Sequence, residues 1–279
     1  MPQIDAHQHY WTPSRGDYHW MPMDNPILAR PYGPADLAPE LKRYGIGHTV
    51  LVQAAATVEE TEYMLGLADA TPHVAAVVGW IDFERPSDHG HLKRLANHPK
   101  FAGVRPMIQD IPDDDWMLRD DVQWGFKAVC DLGLTFDALG FPRHLENFHR
   151  IFTRYPDMRV VVDHCMKPQI HDHGEASFRH WAEGMSRLAD TGAYCKFSAL
   201  VTEANPDWTV ADLTPYVDHV FRAFGPDRVM WGSDWPVVRL RCEYGDWRAA
   251  AETLTAGLTD AERARIYGGT ASEFYGLGL

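Results

Sequence analysis

Two histidines one residue apart, His7 and His9, close a short apolar run that begins at Ile4. In an extended chain alternate residues share a face, so both imidazoles point one way and Gln8 the other. Two imidazoles on one face can ligate a metal ion or hydrogen-bond a single oxygen. Asp5 falls on the same face one step deeper, where it could orient an imidazole from behind. A third histidine, His164, follows the run Val160-Val-Val-Asp163, with Asp163 facing the opposite way and buttressing the fold. Asp234 ends the run Val229-Met-Trp-Gly232-Ser, just ahead of Trp235-Pro236, and Gly232 removes side-chain bulk beside it. Arg105 and Lys196 are cations set inside apolar runs, Gly103-Val-Arg105-Pro106 and Tyr194-Cys-Lys196-Phe-Ser198. A buried cation is costly unless a carboxylate or ligand compensates it, so each is paired with an acid or held for a substrate oxygen. Asp137 closes a further run, and its role stays open. Each group also has a structural alternative: surface histidines in a chain with 15, a core histidine on a carbonyl, an aspartate at a helix N-cap.

These residues share one position, the end of a short apolar run. Eight such runs follow one another: Ile4–His9, Thr49–Gln53, Val74–Ile81, Phe101–Pro106, Leu134–Gly140, Arg159–His164, Ala193–Ser198 and Arg228–Asp234. Each has the length of a buried strand and is followed by a longer stretch of mixed polarity. Thr57-Val-Glu-Glu-Thr opens one helix with a Thr cap and carboxylates that complement the helix dipole. Pro142, Pro168, Pro206 and Pro226 punctuate the boundaries. Strands alternating with helices imply parallel βαβ units in an α/β protein. Eight units over residues 1–279 suit a single (β/α)8 TIM barrel, whose usual size is about 250 residues. A doubly wound open sheet would place a glycine-rich phosphate loop after the first strand, where His7-Gln-His9 stands instead. In such a barrel catalytic groups project from the carboxyl ends of the strands. Residues 10–35, rich in Pro and Trp, form a connection long enough to cover that end.

Composition narrows the partners. Of 279 residues 45% are hydrophobic and 23% charged, which supports a large core and excludes disordered, collagen-like and coiled-coil classes. Acidic residues outnumber basic ones 39 to 26, a formal charge of −13 that disfavours nucleic acid and anionic membrane. Cys130, Cys165, Cys195 and Cys242 are far apart and form no CxxC pair, as expected of reduced thiols in a cytoplasmic protein. No charged leader with an apolar stretch opens the sequence, and no apolar run approaches the ~20 residues of a membrane span. Assembly into a homo-oligomer is left open.

Taken together, Ile4-Asp-Ala-His-Gln-His9, Val77-Val-Gly-Trp-Ile-Asp82, Gly103-Val-Arg105, Val161-Val-Asp-His164-Cys-Met-Lys167-Pro168, Cys195-Lys-Phe-Ser198 and Trp231-Gly-Ser-Asp234-Trp-Pro236 resemble the amidohydrolase superfamily. More narrowly they are similar to its lactonase branch, which includes fuconolactonases, rhamnonolactonases and hydrolases of dicarboxylated lactones from aromatic catabolism. The likeness runs from residue 4 to beyond 236. It implies an amidohydrolase-like barrel that opens a lactone with water, as a hydrolase of carbohydrate catabolism. Many superfamily members hold two metals bridged by a carboxylated lysine on strand four. Here that strand ends in Arg105, so a binuclear site is not expected. One divalent ion, zinc, held by His7, His9, His164 and Asp234 is the metal-dependent form that the resemblance implies. Strand five offers Asp137 in place of the usual histidine, and members of the branch also work without metal.

The chemistry expected is attack by water, with no covalent intermediate, since no Gly-x-Ser-x-Gly elbow is present. Asp234 would take the proton of water, while His7, His9 and His164 stabilise charge on the carbonyl oxygen, directly or through the ion. Arg105 would hold a substrate carbonyl or ring hydroxyl. Trp20 and Trp235, with Trp11, offer flat faces suited to a sugar ring. Lys167 and Lys196, with Arg105 and Arg239, are the cations that a dicarboxylated lactone would need. A sugar-acid lactone is the favoured small-molecule substrate. A dicarboxylated lactone, a metal-dependent decarboxylation of the same superfamily, and a non-catalytic binding barrel are the alternatives.

Overall fold

Parallel strands buried on both faces read as near-continuous apolar runs, and the eight runs above are the eight strands of one sheet. The computed structural model describes residues 2–172 and 174–279. Among these, β1 (Gln3–Gln8), β2 (Ile46–Val52), β3 (Val74–Gly79), β4 (Phe101–Val104), β5 (Thr135–Ala138), β6 (Arg159–Val162), β7 (Tyr194–Ser198) and β8 (Val229–Gly232) pair in chain order, all parallel. The sheet closes just past β8, where Asp234 N donates to His7 O and His9 N donates to Trp235 O, both at 2.7 Å. The bonds that close the ring therefore join the His7-Gln-His9 segment to the Asp234 segment. Each strand is followed by its helix: α1 (Pro34–Tyr44), α2 (Val58–Ala70), α3 (His89–Ala96), α4 (Gln123–Asp131), α5 (Leu145–Arg154), α6 (Glu175–Asp190), α7 (Val210–Phe224) and α8 (Tyr244–Leu254). This is a (β/α)8 barrel. None of the described helices is long and apolar enough to cross a membrane.

Seven of the strands end one or two residues sooner than their apolar runs suggest. The shortening leaves His9, Arg105, His164 and Asp234 just beyond the last paired residue, free of the pleat and able to turn inward. The outer core fills the space between strands and helices. A second cluster, with Ile4, Ala6, Val50, Val52, Ala76, Val78, Val161 and Met230, packs the barrel interior against Ala271, Phe274 and Tyr275 of the C-terminal segment. Ile4 and Ala6 thus face inward, and strict alternation would turn His7 outward. A register shift between Asp5 and Gln8 breaks the alternation, as a bulge does. Asp5 consequently does not orient an imidazole, as its place in the sequence suggested. Its carboxylate accepts from the backbone N–H groups of Ser233 (2.8 Å) and His7 (3.2 Å) and from the Tyr244 hydroxyl (3.2 Å), clasping β1 to β8. Burial pushes this carboxyl up to about 6 despite those donors.

Thr57 caps α2 as expected, its hydroxyl accepting from Glu60 N at 3.0 Å. Glu60, one of the two acidic residues in the first turn of α2, is buried and turned toward the β2–α2 loop, accepting from Ala54 N at 2.9 Å.

The ends of β6 and β8 carry unusual backbone. His164, Cys165, Met166 and Lys167 all have positive φ between 48° and 57°, and Asp234 has φ 54°. Left-handed conformation costs a residue with a Cβ about 1–2 kcal/mol. Such strain persists only where packing over-determines it, and it gathers at functional sites. At β6 the run is held by Trp181, whose indole donates to Cys165 O at 2.7 Å. Gly232 permits close approach of β8 to β1: a Cβ there would lie 2.8 Å from His7 Cβ and 3.0 Å from His7 N. Gly232→Ala is accordingly expected to destabilise the fold by about 1–3 kcal/mol through overpacking. A urea titration checks this, and an unchanged midpoint would show that β1 and β8 are not pressed together as described.

Candidate active site

An ammonium cannot sit in an apolar barrel without compensating charge, and the floor of the site is organised around one. Lys196 on β7 is fully buried, with Nζ 2.5 Å from Asp137 Oδ2 on β5 and 3.0 Å from Asp163 Oδ1 after β6. Its third neighbour is His7 Nδ1 at 3.0 Å. The Tyr275 hydroxyl donates to the same Asp137 oxygen at 2.8 Å, tying the C-terminal plug to the floor. Arg105, just past β4, reaches Asp163 Oδ2 at 3.3 Å and donates to the Gln53 carbonyl, while Gln53 Nε2 donates back to Arg105 O at 2.7 Å. Burial acts to raise the Asp163 carboxyl, but Lys196, His7 and Arg105 hold it well below the usual range. Burial and the neighbouring Asp163 charge raise Asp137 to about 6, against the pull of Lys196 and the Tyr275 hydroxyl.

The imidazoles converge above this floor. His7 Nε2 and His9 Nε2 are 3.2 Å apart. Asp234 Oδ1 lies 3.1 Å from His9 Nε2, 3.6 Å from His7 Nε2 and 4.0 Å from His164 Nε2. His9 Nδ1 donates to the Val52 carbonyl at 2.7 Å, which aims its Nε2 at the centre. His164 Nδ1 meets the Ser198 hydroxyl at 2.8 Å, so its Nε2 also faces the centre. Burial lowers His7 well below the ordinary histidine value and His164 to about 4, so both rings are neutral at pH 7. Burial would raise Asp234, but His164, His9 and His7 hold it below the ordinary carboxylate range, and it stays ionised.

His7, His9 and Asp234 also have the donor atoms of a metal site. In a tetrahedral zinc site with bonds of about 2.0–2.1 Å, ligand atoms stand about 3.4 Å apart. The three separations here, 3.1, 3.2 and 3.6 Å, meet that requirement, and His164 lies next to the triangle. A second triple, His7, Asp163 and His164, is less suited because Asp163 is already engaged by Lys196 and Arg105.

A cavity opens over the centre, with His9, Arg105, His164 and Asp234 at its polar end. The long connection after β1 supplies Trp11 and Trp20 to the wall, as its length and aromatic content suggested. Trp20 is about one-third exposed, and its indole donates to Ala54 O at 2.5 Å. Trp11 is fixed by Leu28 O and Arg30 O, at 3.1 and 2.9 Å. On the opposite wall Lys167 donates to Gln109 Oε1 at 2.6 Å.

The structure brings His9, His164, Asp234, Arg105, Lys167 and Trp20 onto one cavity and revises the rest. His7 has no exposed surface and meets the cavity only through His9 and Asp234, so it is no direct ligand of a substrate oxygen. Lys196, expected to contact substrate, is beneath the floor with its charge taken by Asp137 and Asp163. Trp235 packs on Tyr10 and Tyr32, away from the cavity, because the ring-closing bonds turn its backbone toward β1. Arg239 is bound to Glu243 and Tyr32. Asp163 does not turn away from the site: the short β6 ends at Val162, and its carboxylate enters the floor. Gln109 and Met107 were not foreseen, since they come from an irregular loop without a periodic signal.

The profile of the amidohydrolase family matches residues 4–277, and the chain belongs to that family. The relatives narrow the class. Over 278 residues the chain is 41% identical to the L-fucono-1,5-lactonase of Burkholderia ambifaria, covering 98% of this chain and 95% of the relative. An amidohydrolase of Burkholderia multivorans, solved with bound HEPES, superposes with a TM-score of 0.94 at 32% identity over 99% of both chains. A second crystal form described with bound zinc superposes at 0.92, again with 32% identity and 99% of each chain covered.

Glu60 provides a test of how the wall is held. Burial raises its carboxyl to about 8, against the pull of the Ala54 and Ala55 N–H groups. A carboxyl that keeps its proton in the fold and releases it in the unfolded chain stabilises below its unfolded value. That contribution is lost as pH rises toward 8. Glu60→Gln cannot titrate. The melting-temperature advantage of wild type over Glu60→Gln should therefore shrink between about pH 4.5 and about pH 8 and level off above that. A gap that stays constant would place Glu60 in contact with solvent.

Proposed function

We propose that this enzyme hydrolyses a sugar-acid lactone, with L-fucono-1,5-lactone or a closely related aldonolactone as substrate. The observation that carries the reading is the placement of the Asp234 carboxylate between His9 and His164 at the polar end of a cavity walled by Trp11 and Trp20. The whole-chain similarity to the L-fucono-1,5-lactonase of Burkholderia ambifaria supports it.

Asp234, ionised and aimed into the cavity, takes a proton from the attacking water as general base. With Ser198 donating to Nδ1, His164 presents an Nε2–H toward the carbonyl oxygen, where negative charge grows as water adds. Arg105 adds a fixed positive charge beside that oxygen and orients the ring. The tetrahedral adduct then expels the ring oxygen, which takes from Asp234 the proton that came from water, so that the carboxylate is restored. The net change is one water consumed, one C–O bond broken, and a hydroxy acid that releases a proton near neutral pH. Zinc held by His7, His9 and Asp234 would supply a Lewis acid for the carbonyl and lower the pKa of water. Trp11 and Trp20 offer apolar faces to the C–H side of the ring, and Gln109 and Lys167 offer polar atoms to its hydroxyls.

A dicarboxylated lactone fits less well. Of the four cations it would call on, Lys196 and Arg239 are paired elsewhere, and Arg105 already serves Asp163. The four cysteines are free, which fits a cytoplasmic enzyme.

Asp234→Asn should preserve the melting temperature and lower turnover of aldonolactones by at least about 100-fold, read as acid release with a pH indicator. Near-normal turnover would remove Asp234 from the chemistry. Release of carbon dioxide from an aromatic acid, without turnover of lactones, would replace hydrolysis by decarboxylation. Trp20→Ala should raise KM more than it lowers kcat, as expected of a residue that binds substrate and transition state alike. An unchanged KM would take Trp20 out of the binding wall.

A further inference from the structure

The buried ammonium of Lys196 has three hydrogens and no acceptor, and three groups surround it: Asp137 Oδ2, Asp163 Oδ1 and His7 Nδ1. Toward Lys196, then, His7 Nδ1 offers a lone pair. A neutral imidazole carries one N–H and one lone pair, which leaves the proton on Nε2. His9 is the reverse case. The Val52 carbonyl can only accept, so His9 carries a proton on Nδ1, and its Nε2 stands between Asp234 Oδ1 at 3.1 Å and His7 Nε2 at 3.2 Å. Arg105 Nη1 also approaches His7 Nε2, at 3.4 Å. The shorter contact from Lys196 decides the tautomer, because Arg105 has Asp163 and the Gln53 carbonyl as other acceptors.

We propose that Lys196 sets the metal affinity of this centre. By donating to His7 Nδ1 it fixes the ring as the Nε2–H tautomer. That puts a proton where the three ligand atoms converge, and so weakens zinc binding. A metal-ligating histidine normally donates its other N–H to a carboxylate or carbonyl, and losing that partner typically costs 10–100-fold in affinity. Here the partner at Nδ1 is itself a donor, so the sign reverses. Zinc at Nε2 requires the proton to move to Nδ1, where it meets the ammonium at 3.0 Å, with the nearest carboxylate, Asp163 Oδ1, at 3.5 Å. The net charge of the cluster is the same in both tautomers. The inference rests on the cluster and stands whatever lactone the enzyme takes.

The direct test is nitrogen NMR of the metal-free wild-type protein labelled at histidine, with the His7 signals assigned by their loss in His7→Gln. The expected result is a neutral ring protonated at Nε2. A ring protonated at Nδ1, or at both nitrogens, overturns the proposal. The second measurement is zinc affinity by competition with a chromophoric chelator at one fixed pH. Asp137→Asn serves as the reference, and Lys196→Met combined with Asp137→Asn as the variant, so that Asp137 does not become a buried carboxylate without its cation. Removing the ammonium should tighten zinc binding at least about tenfold relative to the reference. Equal or weaker binding overturns the proposal. If the double variant does not fold, the NMR result on wild type decides alone.

Discussion

The buried ion pair of Lys196 with Asp137 and Asp163 is the constraint on which the rest of the site depends. All three groups lie inside a barrel otherwise packed with Ile, Val, Ala and Met, where an uncompensated charge would cost several kcal/mol. Compensation is achieved only if β5, β6 and β7 hold their registers and Tyr275 reaches up from the C-terminal plug. Arg105 joins through Asp163, and His7 joins through both Lys196 and Asp163. The polar floor therefore links five strands and the chain end, and the other two imidazoles rest on it. Replacing one member leaves another charge buried and unpaired, so these positions are expected to tolerate little change.

Two further devices convert that floor into a directed site. The ring closes through backbone bonds between His7 and Asp234 and between His9 and Trp235, which makes closure of the barrel and assembly of the centre the same event. The left-handed backbone after β6 and at Asp234 departs from the pleat, and the His164, Lys167 and Asp234 side chains line the cavity at the barrel mouth. Above them, Trp11 and Trp20 bring an apolar wall to a polar floor, the pairing that a hydroxylated ring with C–H faces requires. The wall is anchored rather than loose: Trp20 is tied to Ala54, and Ala54 to the buried Glu60.

Much of this was legible in the sequence, for physical reasons. Parallel strands buried on both sides must be apolar throughout, so the eight runs stood out, and a polar residue ending such a run has few reasons to be there. That logic located His9, Arg105, His164 and Asp234. It failed where geometry departs from the pattern without a compositional mark. The irregularity between Asp5 and Gln8 contains no glycine or proline, so simple alternation assigned Asp5 to the wrong task. The left-handed stretch His164–Lys167 likewise contains no glycine, and Asp163 was read as facing outward. Lys196 was correctly marked as a cation needing a partner, but only the fold shows that Asp137 and Asp163 take that part. Glu60 stood in the first turn of a helix, where exposure is the rule, and its burial follows from the loop that it holds.

In the proposed reaction Asp234 and His164 act on one carbonyl at the mouth of this barrel. The most direct measurement is a crystal structure with an aldonolactam, in which the ring oxygen is replaced by NH and hydrolysis stops. The expected structure has the lactam carbonyl oxygen about 3 Å from His164 Nε2 or Arg105, with Asp234 bridged to the carbonyl carbon by one water and the ring against Trp20. A lactam seated elsewhere, or with its carbonyl turned away from Asp234, would contradict it.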